Sequence, residues 1–174
     1  ELVGRTDLIR MRVNRPAGRA MKVNLSALLT NPYSGPTHFD PKHVFNFRLD
    51  ETLDEKVLLE KLGPALKKGR KAEIHLKVSS TNRALGTIFG SEITRLHSNT
   101  LPDDTYVIHC VGGGGQSFGA FAPKGLTMLL EGDSNDSFGK GLSGGRLAVF
   151  PPRESRFVPS ENIIIGNVAL YGAT

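Results

Sequence analysis

Two short stretches of this chain carry residue patterns that elsewhere do chemistry. Gly115, Gln116, Ser117, Phe118 and Gly119 fit G-x-S-x-G, the strained strand-to-helix elbow that presents a serine nucleophile. That chemistry needs a histidine base further along the chain, and His38, His43, His75, His97 and His109 all precede Ser117. No amphipathic helix follows Gly119 either, so Ser117 is expected to be a corner hydroxyl bonded to turn backbone. Gly139, Lys140, Gly141, Leu142, Ser143 and Gly144 fit G-x-G-x-x-G, which cradles a pyrophosphate where a strand enters a helix. Here the preceding residues, Asp133 to Ser137, are polar, and a strand-like run, Arg146 to Phe150, follows and is closed by Pro151 and Pro152. Without a helix N-terminus the loop has neither aligned amide donors nor a dipole to hold an anion.

The other candidates are weaker still. Gly112 to Gly115 could form an amide nest for an anion, though close backbone packing explains such a run more simply. Glu131, Asp133 and Asp136 offer oxygen ligands for calcium, but the strict calcium-binding nonapeptide is absent and they read as solvated turn carboxylates. His75 and His109 fall within expected strands and read as satisfied sheet residues. Cys110 is the single cysteine, which excludes a disulfide framework or a thiolate metal site built within the chain; it reads as an inert core residue. The expectation is therefore that no residue is catalytic, binds a cofactor or ligates a metal.

The elements that would position these groups follow from periodicity. Residues 1 to about 50 alternate short apolar stretches with Pro and Gly and read as a linker or entry segment; 51–174 read as the domain proper. Leu53, Val57, Leu58, Lys61 and Leu62 recur at helical spacing and continue through Leu66 to Gly69, giving one helix broken at Gly63 and Pro64. Ala72 to Val78 alternates at period two, a strand. Thr81 and Asn82 are placed to cap a second helix, Arg83 to Leu96, with Leu85, Ile88, Phe89, Ile93 and Leu96 on one side.

Beyond Leu101 short strands alternate with glycine clusters, and an internal repeat emerges. Ser117, Phe118, Gly119 returns twenty residues later as Ser137, Phe138, Gly139. Gly112, after the strand Tyr106 to Val111, precedes Gly132 by the same interval, and Gly125, before Leu126 to Leu130, precedes Gly145, before Arg146 to Phe150. A further strand pair is expected at Ile163 to Ile165 and Val168 to Tyr171. Units of about twenty residues with short strands and glycine turns are the signature of a β-helix or related solenoid, in which each coil pairs its backbone with the coils above and below. In such a stack Gly112, Gly115, Gly119, Gly125, Gly132, Gly139, Gly141, Gly144 and Gly145 are structural glycines, serving corners and close backbone approach.

Composition limits the partners. Of 174 residues, 39% are hydrophobic and 22% charged, with 20 Gly, 10 Pro and no Trp: a turn-rich globular composition and a single domain. The net charge is +5, and Lys67, Lys68, Arg70 and Lys71 form the densest basic cluster. No aromatic residues interleave them, so they read as a solvated helix end rather than a nucleic-acid surface. The apolar runs, such as Thr127 to Leu130, are far shorter than a membrane span, and charges within the first ten residues leave no room for a signal-peptide core. An intracellular chain, cytoplasmic or organellar, or a piece cut from a longer protein, is expected.

Several motifs also carry a family resemblance. Asn82 to Thr87 (NRALGT), Glu92 to Thr94, Leu101 to Thr105 (LPDDT), Gly115 to Phe121 (GQSFGAF), Glu131 to Asp136 (EGDSND) and Gly139 to Arg146 (GKGLSGGR) resemble the C-terminal glycine-motif (GXGXG) domain of the glutamate synthase large subunit, in its order and near its spacing. Glu1 to Leu8 (ELVGRTDL) is similar to the stretch that joins this domain to the flavin-binding barrel.

The resemblance implies a mainly β fold, a right-handed parallel β-helix with about two peripheral helices in its N-terminal half and further coils beyond Thr174. It also implies a noncatalytic part of an oxidoreductase that makes glutamate from glutamine and 2-oxoglutarate with electrons from NAD(P)H or ferredoxin. FMN and an iron–sulfur cluster belong to the parent enzyme. The implied partners are the glutamine amidotransferase and FMN-barrel domains, with a small electron-transfer subunit, and neither nucleic acid nor membrane. A free-standing β-helix subunit of a split glutamate synthase, an N-methylglutamate synthase or a formylmethanofuran dehydrogenase is the alternative. Gly113 and Gly114 depart from the family pattern, which more often has a small residue beside Gly.

Overall fold

A computed structural model describes Leu8, Ser34, Gly35 and residues 40–174. The chain divides into two units, Glu1–Phe47 and Arg48–Thr174. The linker motif Glu1 to Leu8 lies outside the described residues except for Leu8, as do the apolar stretches at 21–23 and 25–29. Within the first unit, Asp40 organises a turn: its carbonyl accepts from His43 N–H at 3.1 Å and its Oδ1 from Lys42 N–H at 2.9 Å.

The second unit is built on a four-stranded parallel sheet in sequence order, β1 (Ala72–Val78), β2 (Tyr106–Gly114), β3 (Leu126–Ser134) and β4 (Arg146–Phe150). Two helices accompany it, α1 (Glu60–Leu66), preceded by a π-helical segment Asp54–Leu59, and α2 (Thr87–His97). Alternation sorts the strand side chains: Tyr106, Ile108 and Cys110 on β2 and Leu126, Met128 and Leu130 on β3 are buried, and they form one core with Leu58, Leu62 and Leu66 and with Phe89 and Ile93. His97 Nε2 donates to the Leu66 carbonyl at 2.6 Å, so one hydrogen bond ties the end of α2 to the end of α1.

Three local expectations are corrected. The first helix is not broken at Gly63 and Pro64, which lie inside α1; its irregularity comes earlier, in the π-helical turns that carry Asp54 and Leu58 inward. The second helix starts at Thr87, not Arg83, because Ala84 (φ 53°) and Gly86 (φ 90°) are left-handed and cannot join an α-helix. Thr81 and Asn82 do not cap it; Asn82 Oδ1 instead accepts from Ser79 N–H at 2.8 Å. Finally, β2 and β3 run on to Gly114 and Ser134, whereas the strand pair expected at 163–165 and 168–171 reduces to one bridge, Ser134 to Ile165, followed by turns.

Candidate functional site

The sheet register sets the glycines in columns. Val78, Gly112 and Gly132 are successive Cα partners, so one glycine lies on the next in adjacent strands. Both are at positive φ, 126° and 151°, and a Cβ on either would approach backbone well inside 3.0 Å: the Val78 carbonyl oxygen for Gly112, the Gly112 carbonyl oxygen for Gly132. Backbone cannot swing aside as a side-chain tip can, so these positions admit hydrogen and little else.

The turns after the strands stack in the same way. Ser117 N–H donates to the Asp136 carbonyl at 2.8 Å and Ser137 N–H to the Asn167 carbonyl at 2.8 Å; Gly119 N–H donates to Leu85, Gly139 N–H to Phe118 and Leu170 N–H to Phe138 at 2.8–3.0 Å. Left-handed residues fall at 117, 119 and 121, at 137, 139 and 141, and at 168, 170 and 172. Phe118 and Phe138, between them, stack with ring planes 1° apart and centroids 6.0 Å apart. Ser117 thus enters the turn through its backbone, where a corner hydroxyl was expected to do the bonding.

The remaining glycines serve the same stack. A Cβ on Gly115 would press on Asn82 backbone, one on Gly145 on Ala122 backbone, and one on Gly141 on the Phe121 ring. The twenty-residue match of Gly125 to Gly145 is not the conformational one. β3 and β4 pair Thr127 with Arg146 and Glu131 with Phe150, an interval of 19, and the left-handed partner of Gly125 (φ 92°) is Gly144 (φ 86°). The G-x-G-x-x-G loop therefore leads into a strand. Gly112, Gly113 and Gly114, where close backbone packing was expected rather than an anion nest, belong to β2.

A buried carboxylate anchors α2, and a buried thiol lies in the core. Asp54, 2% exposed, accepts from Gly86 N–H at 2.9 Å and Phe89 N–H at 2.9 Å, capping α2 from 32 residues upstream. Burial raises its carboxyl above the usual range, against the pull of the Phe89, Gly86 and Ile88 amides. Cys110 is buried and its thiol is pushed up to about 12, chiefly by burial and then by the Asp54 carboxylate, which favours the thiol over the thiolate.

On the outward face, Glu131 and Asp133 border a groove of about 580 Å³, while Asp136 Oδ1 accepts from Asn167 N–H at 2.7 Å and is spent on turn stacking. Among the described residues the one group of three or more ligand side chains that converges is elsewhere: Glu73, His75 and His109, whose ligand atoms lie within 4.8 Å of one another. Sequence reading assigned the two histidines to strands but missed their meeting. The signal was the strand register, which pairs His75 with His109 across 34 residues and an intervening helix.

The sequence profile described as the GXGXG motif matches residues 54–174, and the chain belongs to that family. The chain is similar over its whole length to a region of several glutamate synthases. It is 42% identical over 176 residues to the glutamate synthase [NADPH] large chain of Bacillus subtilis, covering 11% of that protein. The corresponding figures are 40% over 179 residues and 8% for glutamate synthase [NADH] of Schizosaccharomyces pombe, and 31% over 175 residues and 11% for ferredoxin-dependent glutamate synthase 2 of a Synechocystis species. The chain thus spans about a tenth of the relatives' length. Among the described residues, no helix is long and apolar enough to cross a membrane.

Proposed function

We propose that this chain is a noncatalytic structural domain of a glutamate synthase, residues 51–174 forming a right-handed parallel β-helix that braces the glutamine amidotransferase and FMN-binding domains of the same polypeptide, with residues 1–50 as the entry segment. The observation that carries this reading is the use made of the glycines. Those at 112, 115, 132 and 145 face the backbone of a neighbouring layer, at distances that leave no room for a Cβ, which supports a role in shaping the stack rather than in holding a ligand. Ser117 and the 139–144 loop, the two positions where chemistry was conceivable, are part of that stack.

In this role the domain holds two active sites in fixed relation so that ammonia released at one reaches the other. FMN, the iron–sulfur cluster and the electron-transfer partner belong to the rest of the enzyme, in a cytoplasmic or organellar compartment. Similarity to relatives named for NADPH, NADH and ferredoxin alike supports a part that does not choose the electron donor. Full coverage of this chain by 8–11% of long single chains favours the fused arrangement over a free-standing subunit.

The test is to assay the chain for ester hydrolysis and to titrate it with NAD and FMN, followed by fluorescence. No saturable signal is expected. A saturable activity that disappears in Ser117→Ala would overturn the reading, and an open reading frame beginning near Glu1 would reject the fused arrangement.

A further inference from the structure

We propose that Glu73, His75 and His109 form a surface site for a divalent transition-metal ion of the zinc class, at the junction of β1 and β2. The sheet itself creates the site. His75 and His109 are Cα partners on adjacent parallel strands, so their side chains leave the same face side by side, about 4.8 Å apart at the backbone. Glu73 precedes His75 by two residues and therefore shares that face. The three side chains meet above it: Glu73 Oε1 lies 2.8 Å from His109 Nε2 and 3.4 Å from His75 Nε2.

Those separations suit a shared cation. Zinc bonds of roughly 2.0–2.1 Å at tetrahedral angles put ligand atoms about 3.3 Å apart; the carboxylate oxygen already stands at that distance from His75 Nε2, and its 2.8 Å contact with His109 Nε2 needs only to open slightly to admit the ion. The imidazole rings are stacked, with centroids 4.4 Å apart and planes 7° from parallel. Their Nε2 atoms both reach Glu73, so they point to one side, and a modest ring rotation about χ2 converges the lone pairs on a point between them. Binding there requires the Nδ1–H tautomer in both rings, a proton shift within each neutral imidazole that leaves Nε2 free to ligate.

Two features define the ligand class. Two imidazole nitrogens and one carboxylate oxygen favour zinc, nickel or copper(II) over calcium or magnesium, which select oxygen. The thiol of Cys110 is turned into the core, so it does not compete for the ion. The row continues from His109 to Leu129 on β3, which puts an apolar side chain beside the inner imidazole, while the side chains of His75 and Glu73 remain 73% and 56% exposed to an entering ion. Three protein ligands leave the remaining position to water or to a group from a neighbouring surface.

The experiment is calorimetric titration of the full chain with zinc chloride, alongside His75→Ala, His109→Ala and Glu73→Gln, with His97→Ala as a control remote from the site. One equivalent of zinc is expected to bind, with affinity at least tenfold weaker in each of the three site variants and unchanged in His97→Ala. Zinc is also expected to raise the melting temperature of the parent chain but not of the His75→Ala, His109→Ala double variant, which reports the cross-strand tie independently of the heat signal. Glu73 and His75 are exposed and His109 is half-buried, and circular dichroism of each variant establishes that it is folded. Absence of saturable one-to-one binding would overturn the proposal. So would binding that the site variants leave intact, or calcium competing with zinc at equal concentration.

Discussion

In the inner turns the left-handed positions fall on Ser117, Gly119 and Phe121 and on Ser137, Gly139 and Gly141; in the last turn they fall on Val168, Leu170 and Gly172. The backbone path is the same, and so is the hydrogen bonding to the layer before, yet the last turn places a β-branched residue where such residues are rarely found. What separates the two regions is what lies on the far side. Gly119 is overlaid by Leu147 and Gly139 by Leu170, each within 3.0 Å of where a Cβ would sit, whereas the equivalent left-handed position of the last turn is Leu170, which carries a full side chain. Stacking on the preceding layer therefore imposes the conformation, and space under the following layer selects the glycine. At the middle position of each turn glycine stands where both constraints act, at Gly119 and Gly139, and leucine stands at Leu170, where the backbone path is the same.

The largest loss is expected for Gly112→Ala, where a left-handed φ and a backbone oxygen coincide: about 3–5 kcal/mol, adding overpacking to conformational strain, read from denaturant midpoints. Asp54→Asn comes next, at about 2 kcal/mol near neutral pH, because an amide oxygen replaces two acceptors with one at the α2 cap. The sign of its pH dependence follows from the raised carboxyl. The folded state holds the Asp54 proton more tightly than the unfolded state, so this group's contribution to stability falls as pH rises above its ordinary value of 3.8. The wild-type minus variant difference should accordingly move in the variant's favour on going from pH 3 to neutrality, and a pH-independent difference would contradict the assignment.

Gly119→Ala should cost less than Gly112→Ala, about 1–2 kcal/mol, since the obstructing atoms are the methyl ends of Leu147 rather than backbone. The smallest effect belongs to Arg146→Ala. Arg146 bonds Asp104 at 2.8 Å and Thr127 donates to the same carboxylate at 2.6 Å, a link across neighbouring layers. The Thr127 hydroxyl first, and then the Arg146 guanidinium, hold Asp104 below the usual carboxylate range, but the pair is exposed. Its small melting shift should vanish in high salt.

The strands and the twenty-residue interval between β2 and β3 were legible because alternation and glycine spacing are local signals. The interval of 19 between β3 and β4 was not, since the Gly144, Gly145 doublet offers two alignments and only the backbone conformation separates them. The start of α2 was hidden for a related reason: Ala84 and Leu85 are good helix formers held out of a helix by hydrogen bonds to the next layer, 2.8 Å from Ala84 N–H to the Gln116 carbonyl. The Asp54 cap and the Glu73, His75, His109 cluster were beyond reach because both depend on long-range register. The helix inserted between β1 and β2 breaks the repeat that would have set those strands side by side.

The most direct test sets a glycine lying between two layers of backbone against a left-handed valine of the last turn: unfolding free energies of Gly132→Ala and Val168→Gly, measured with no ligand present. Gly132→Ala is expected to lose about 3 kcal/mol or more through overpacking against the Gly112 carbonyl, while Val168→Gly gains about 0.5 kcal/mol by releasing left-handed strain. Equal stability of Gly132→Ala and the parent chain would contradict the claim that these glycines exist to let one layer of backbone lie on the next.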